Sequence, residues 1–62
     1  MWNFLFEITS EDSPSCGEEF FVQTKTFKEA EEVIDEIFPN EHYIYHGRYT
    51  DLEAETMGLD TY

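Results

Sequence analysis

The stretch Thr26 to Asn40, TFKEAEEVIDEIFPN, decides the fold. Thr26 followed three residues later by Glu29 has the spacing of a capping box, in which each side chain can satisfy an orphan amide of a first helical turn. Phe27, Ala30, Val33, Ile34, Ile37 and Phe38 then recur at the period that puts apolar side chains on one face of a helix. Pro39 lacks the N–H needed to continue and, with Asn40, stops it. The outer side carries Glu29, Glu31, Glu32, Asp35 and Glu36. Glu31 with Asp35, and Glu32 with Glu36, are like-charge pairs at i, i+4, each costing a few tenths of a kcal/mol, about 0.2–0.5. Lys28 can relieve part of this through Glu31 or Glu32.

On the N-terminal side, Met1–Thr9 alternates Trp2, Phe4, Phe6 and Ile8 with Asn3, Leu5 and Glu7, the period of two expected of a strand. Ser10–Gly17 is a turn-rich connection, and Glu18–Thr24 reads as a second strand with Phe20 and Val22 on one face and Phe21 on the other. On the C-terminal side, Glu41–His46 has the β-branched and aromatic content of a third strand, ended by Gly47. Thr50 and Glu53 repeat the capping-box spacing. Asp51, Glu53 and Glu55 crowd the positive end of a helix dipole, and Gly58 stands at a C-cap, so a helix is expected over Asp51–Met57.

The expected architecture is a single α+β domain spanning residues 1–62 in the order β-β-α-β-α. A right-handed crossover through the long helix places the first strand centrally in a three-stranded antiparallel sheet of order 2-1-3. The long helix covers the face of Trp2, Phe4, Phe6 and Ile8, and a short C-terminal helix follows the third strand. Leu5, Phe21, Tyr43 and Tyr45 are expected on the opposite face. Either the segment from Leu52 to Tyr62 folds beneath that face, or a second copy covers it and those four residues form a homodimer contact.

Composition narrows the function classes. Fifteen Asp and Glu stand against three Lys and Arg, for a formal charge of −12 over 62 residues. Six Phe, four Tyr and one Trp are too many aromatics to leave in water, which argues against disorder. A domain of this size buries only about 60% of the surface its unfolded chain exposes and is marginally stable. Cys16 is the only cysteine, so an internal disulfide is excluded and a reducing, cytoplasmic setting is expected. No apolar run approaches the roughly 20 residues of a membrane span, and the opening residues lack the pattern of a signal peptide. Three cations cannot supply the phosphate contacts that drive nucleic-acid affinity. The same shortage makes base-stacking a poor account of Phe20, Phe21, Tyr43 and Tyr45.

Chemistry-bearing patterns are sparse. His42 and His46 would share a face on a helix, but on a strand they stand about 13 Å apart, beyond one ion. The Glu11-Asp12-Ser13 loop lacks the oxygen spacing and central glycine of a calcium loop. Cys16 lies among Glu11, Asp12, Glu18 and Glu19 with no nearby cation, unlike an activated nucleophile. A glycine-rich phosphate loop, a nucleophile elbow and a Cys-x-x-Cys pair are all missing. The expectation is a non-enzymatic protein with no cofactor, no metal and no specific small-molecule ligand.

The runs SEDSPSCGEEFFV (residues 10–22), HGRYTDLEAE (46–55) and AETMGLDTY (54–62) carry a resemblance to known sequences. The chain resembles the short uncharacterised proteins of tailed phages, notably of marine cyanobacterial viruses, in size, in β-β-α-β order and in its Gly-Leu-Asp-Thr-Tyr ending. The resemblance implies a phage-encoded accessory protein working in a host cytoplasm, and it assigns no chemistry to any residue.

The residues themselves point to a protein–protein interaction module. Its acidic surface, Glu29, Glu31, Glu32, Asp35 and Glu36 with Glu18, Glu19, Asp51, Glu53 and Glu55, would engage a basic partner by presenting charge as a phosphate array does. The alternative is a self-associating structural domain whose acidity serves solubility alone.

Overall fold

Alternation along the first strand sets up everything that packs on it. The structure is a computed structural model describing residues 1–62. Strand β1 (Trp2–Ile8) lies between β2 (Glu19–Thr24) and β3 (Tyr43–Tyr49), antiparallel to both, which is the expected order 2-1-3. Helix α1 (Phe27–Ile37, 11 residues) joins β2 to β3, and helix α2 (Asp51–Met57, 7 residues) follows β3.

Because successive strand side chains point to opposite faces, the sheet carries two apolar clusters. On one face Phe4, Phe6, Ile8, Phe20 and Val22 bury against Ala30 and Ile34 of α1, with Val33, Phe38 and Tyr43 at the margin. On the other, Leu5 and Phe21 bury against Ala54 of α2, with Tyr49 and Leu59 packed around them. Trp2 departs from the expected helix-covered stripe. It lies at the rim, 37% exposed, with the Arg48 guanidinium 4.3 Å from its ring centroid.

The third strand differs from expectation in both its ends and its faces. It starts at Tyr43 and runs through Gly47 to Tyr49. Leu5 faces Gly47 while Phe6 faces Tyr45, so His46 is one residue too many and forms a β-bulge. Gly47, beside the bulge, takes φ 142°, a conformation that favours glycine. The bulge separates two tyrosines that an uninterrupted strand would hold on one side: Tyr45 faces Phe6 on the α1 side, and Tyr49 faces Asn3 on the α2 side.

The expected dimer face of Leu5, Phe21, Tyr43 and Tyr45 is therefore corrected, because these residues do not share a face. Tyr43 and Tyr45 pack under α1, with ring centroids 5.5 Å from Phe6 in each case, and Tyr45 lies 4.7 Å from Phe27. Leu5 and Phe21 are covered by α2 and the segment after it.

That segment folds onto its own chain. The Phe21 amide donates to the Asp60 carbonyl at 2.8 Å, Tyr62 N donates to Phe21 O at 2.8 Å, and Gln23 N donates to Tyr62 O at 2.9 Å. The outer edge of β2 is thus occupied, relieving the hazard of an open strand edge. The Tyr62 ring crosses to the first cluster, edge-on to Phe20 at 5.6 Å and Phe38 at 5.9 Å.

The two helix starts also differ. Thr50 and Glu53 form the complete reciprocal box, and Gly58 closes α2 in the left-handed conformation at φ 69°. At α1 the Thr26 hydroxyl accepts from Glu29 N at 3.2 Å, but Glu29 does not return the contact. The Glu29 carboxylate is left to solvent.

Candidate functional site

The acidic residues singled out from the sequence fall in three places. Glu29, Glu32, Asp35 and Glu36 are exposed on the outer side of α1, with Glu31 partly buried beside them. Asp51, Glu53 and Glu55 belong to α2, on the opposite face of the sheet. Glu19 opens β2 and Glu18 immediately precedes it. The expectation of one surface joining all three groups is corrected: two helices covering opposite faces cannot present their outer sides to one partner patch.

Hydrogen bonds separate these carboxylates further. Asp51 accepts from Asn3 Nδ2 at 2.8 Å and from Gln23 Nε2 at 3.0 Å, which lock the start of α2 to β1 and β2. The Asn3 donor first, and the Gln23 donor second, hold the Asp51 carboxyl below the usual carboxylate range. Glu53 is occupied by the Thr50 amide at 3.1 Å. Glu31 accepts from the Tyr43 hydroxyl at 3.4 Å. Burial, then the negative charge of Glu31 and Asp35, push that phenol above its ordinary value. Glu29, Glu32, Asp35 and Glu36 accept no side-chain hydrogen bond from any residue.

Cationic relief is missing across the molecule. The only contact at ion-pair distance joins His46 Nε2 to Glu7 Oε1 at 2.8 Å, and it is charged on both sides only with the imidazole protonated. Lys25 and Lys28 pair with no carboxylate, and Arg48 lies over Trp2. The relief of the α1 repulsion expected from Lys28 does not form.

One constellation escaped sequence reasoning. Glu7, Glu19 and His46 bring a ligand atom each to within 4.8 Å of one another, and they are the only three such side chains to do so. Glu7 and Glu19 are 12 positions apart in sequence and meet only because they face each other across β1 and β2, while His46 comes from β3 on the other side of β1. No short-range spacing signals either event.

Surface depressions are open grooves of 320, 370 and 360 Å³. The first is lined by Asn3, Gln23 and Asp51, whose polar groups already bond to one another. Cys16 is exposed and free. No helix is long and apolar enough to cross a membrane. Comparison with family models, curated proteins and solved structures finds no match to this chain.

Proposed function

We propose that the chain is a non-catalytic interaction module whose α1 face, Glu29, Glu32, Asp35 and Glu36 with Glu31 beside them, docks on a basic protein surface. The observation that carries this reading is that none of these carboxylates has a Lys or Arg partner. Carboxylates at successive turns of a rigid helix make a field of one sign, the feature that steers association with a positively charged groove and falls with ionic strength. Open grooves in place of an enclosed pocket favour a docking role over catalysis. The phage resemblance agrees with an accessory protein acting on a host component, and a DNA-binding protein has the groove chemistry that a linear array of carboxylates would fit.

Self-association loses its main support, since Leu5 and Phe21 are covered within one chain. A salt-graded pull-down from host lysate tests the docking reading with two baits, the natural chain and a variant carrying Glu29→Gln, Glu32→Gln, Asp35→Asn and Glu36→Gln. A basic protein retained at low salt, released at high salt and lost with the variant supports it. Equal retention by both baits, or no salt-released protein, refutes it.

A further inference from the structure

We propose that Glu7, Glu19 and His46 bind one divalent transition-metal ion of the Zn²⁺ class, tying all three strands together at one end of the sheet. Each ligand comes from a different strand, Glu7 from β1, Glu19 from β2 and His46 from β3. Glu7 and Glu19 face each other directly across the pair, an arrangement in which like charges are destabilising. No Lys or Arg relieves it, and the one neighbouring group is the His46 imidazole, 2.8 Å from Glu7.

The third ligand arrives from the strand on the other side of β1. Ile44 pairs with Glu7 and Tyr45 with Phe6, so alternation along β3 sets His46 on the face that carries Glu7, its Nε2 2.8 Å from Glu7 Oε1.

The donor set selects the ion. Imidazole with two carboxylates suits Zn²⁺ and its first-row neighbours, whereas Ca²⁺ and Mg²⁺ take oxygen ligands throughout. Tetrahedral Zn²⁺ with bonds of about 2.0–2.1 Å spaces its ligands roughly 3.3 Å apart. Ligand atoms already within 4.8 Å of one another reach that spacing by rotation of the Glu7 and Glu19 side chains, of which Glu19 is exposed. Three protein ligands leave a fourth position open to water. The site cross-links a small domain that has no disulfide, the role metals commonly fill at this size.

The test uses the full chain and Zn²⁺ alone, with Mg²⁺ as the control for diffuse binding to an acidic surface. Calorimetry is expected to show one Zn²⁺ per chain, and ¹⁵N-edited spectra to show the largest shift on the His46 ring. A hundredfold excess of Zn²⁺ over its Kd is expected to raise the thermal midpoint by roughly 10 °C or more. His46→Gln is expected to weaken binding at least about tenfold, since loss of an outer-shell partner alone costs 10–100-fold, while His42→Gln leaves it unchanged.

Glu19→Gln supplies a separate signature: it removes the repulsion, so the metal-free midpoint rises while the Zn²⁺-induced shift shrinks. If His46→Gln does not fold, the position of the spectral change in the natural chain and the Glu19→Gln result decide the matter. Zn²⁺ affinity equal in His46→Gln and the natural chain overturns the proposal, as does a spectral change centred on α1.

Discussion

Phe21→Ala probes the feature that makes one chain sufficient, the covering of the second sheet face. Phe21 is fully buried, packed on Leu5, Ala54, Tyr49 and Leu59, with the Tyr49 ring edge-on at 5.8 Å. A buried aromatic removes roughly 150–250 Å² from water. At about 25 cal/mol per Å² that is worth about 4–6 kcal/mol, less what the alanine still buries and what collapse of the cavity recovers. The expected loss is therefore about 3–5 kcal/mol, the usual range for Phe→Ala in a core. A chain of 62 residues has a total stability of roughly 3–9 kcal/mol at about 0.05–0.15 kcal/mol per residue, so the variant stands near the threshold of folding. Phe21→Leu, which retains most of the apolar volume, gives a folded comparison.

Urea unfolding followed by circular dichroism measures the loss, and repeating it over a hundredfold range of protein concentration separates the two ways of covering that face. An intrachain cover by α2 and Leu59–Tyr62 gives a midpoint independent of concentration. A loss for Phe21→Ala below about 1 kcal/mol, or a natural-chain midpoint that climbs with concentration, would refute the reasoning.

Other perturbations follow from the caps and the shifted groups. Thr50→Ala removes the hydroxyl that accepts from Glu53 N and donates to the Glu53 carboxylate, leaving only the backbone half of the α2 box, and is expected to cost about 1–2 kcal/mol, against about 0.5–1 for Thr26→Ala, whose hydroxyl accepts from Glu29 N without a reciprocal contact; urea titration gives both, and a larger loss at Thr26 contradicts the assignment. Asp51 has a lowered folded pKa, so its contribution is complete above the unfolded value of about 3.9 and is lost as pH falls through the folded value. Asn3→Ala is expected to shift acid unfolding to higher pH, and an unchanged acid limb counts against the role of that bond. Tyr43 has a raised folded pKa, so stability is complete below about pH 10 and is lost as pH rises through the folded value; Tyr43→Phe is expected to flatten that alkaline limb in a phenolate absorbance titration. Glu36→Lys replaces the repulsion with Glu32 by attraction and complements the helix end. It is expected to add about 0.5–1 kcal/mol at low salt, shrinking at high salt, and equal gains at both ionic strengths would remove the electrostatic explanation.

Legibility in the sequence tracked the range of the interaction concerned. Thr50, Glu53 and Gly58 lie within one short helix and act on their neighbours, and α2 occupies the expected Asp51–Met57 span. Strand order followed from handedness, and the α1 core from helical period. What could not be read was phase. Within Tyr43 to Tyr49 only Gly47 marks a slip, and it reads equally well as the end of a strand, yet that slip sends Tyr49 to the Asn3 side, away from Tyr43 and Tyr45. The acidic surface was legible as composition, but its division between two faces needed the location of α2. The Glu7–Glu19–His46 group was illegible for the same reason as the tyrosines, since its formation depends on register across three strands.

The carboxylates differ in what the fold asks of them. Asp51, Glu53 and Glu31 each receive a donor and hold elements together. Those of the outer α1 face receive none and sit where they are least welcome: Asp35 and Glu36 lie in the last turn, which has no basic residue. That end of the helix dipole disfavours negative charge by about 0.3–1 kcal/mol per group, and the two i, i+4 pairs add about 0.2–0.5 kcal/mol each. Solubility makes no demand on position, because an acid placed in the first turn would keep the chain equally soluble and would stabilise the helix. Placement against the dipole, in a domain with only a few kcal/mol to lose, therefore supports the proposed docking role over charge kept for solubility alone. This is why the proposed docking role falls to the α1 face rather than to the better accommodated acids of α2.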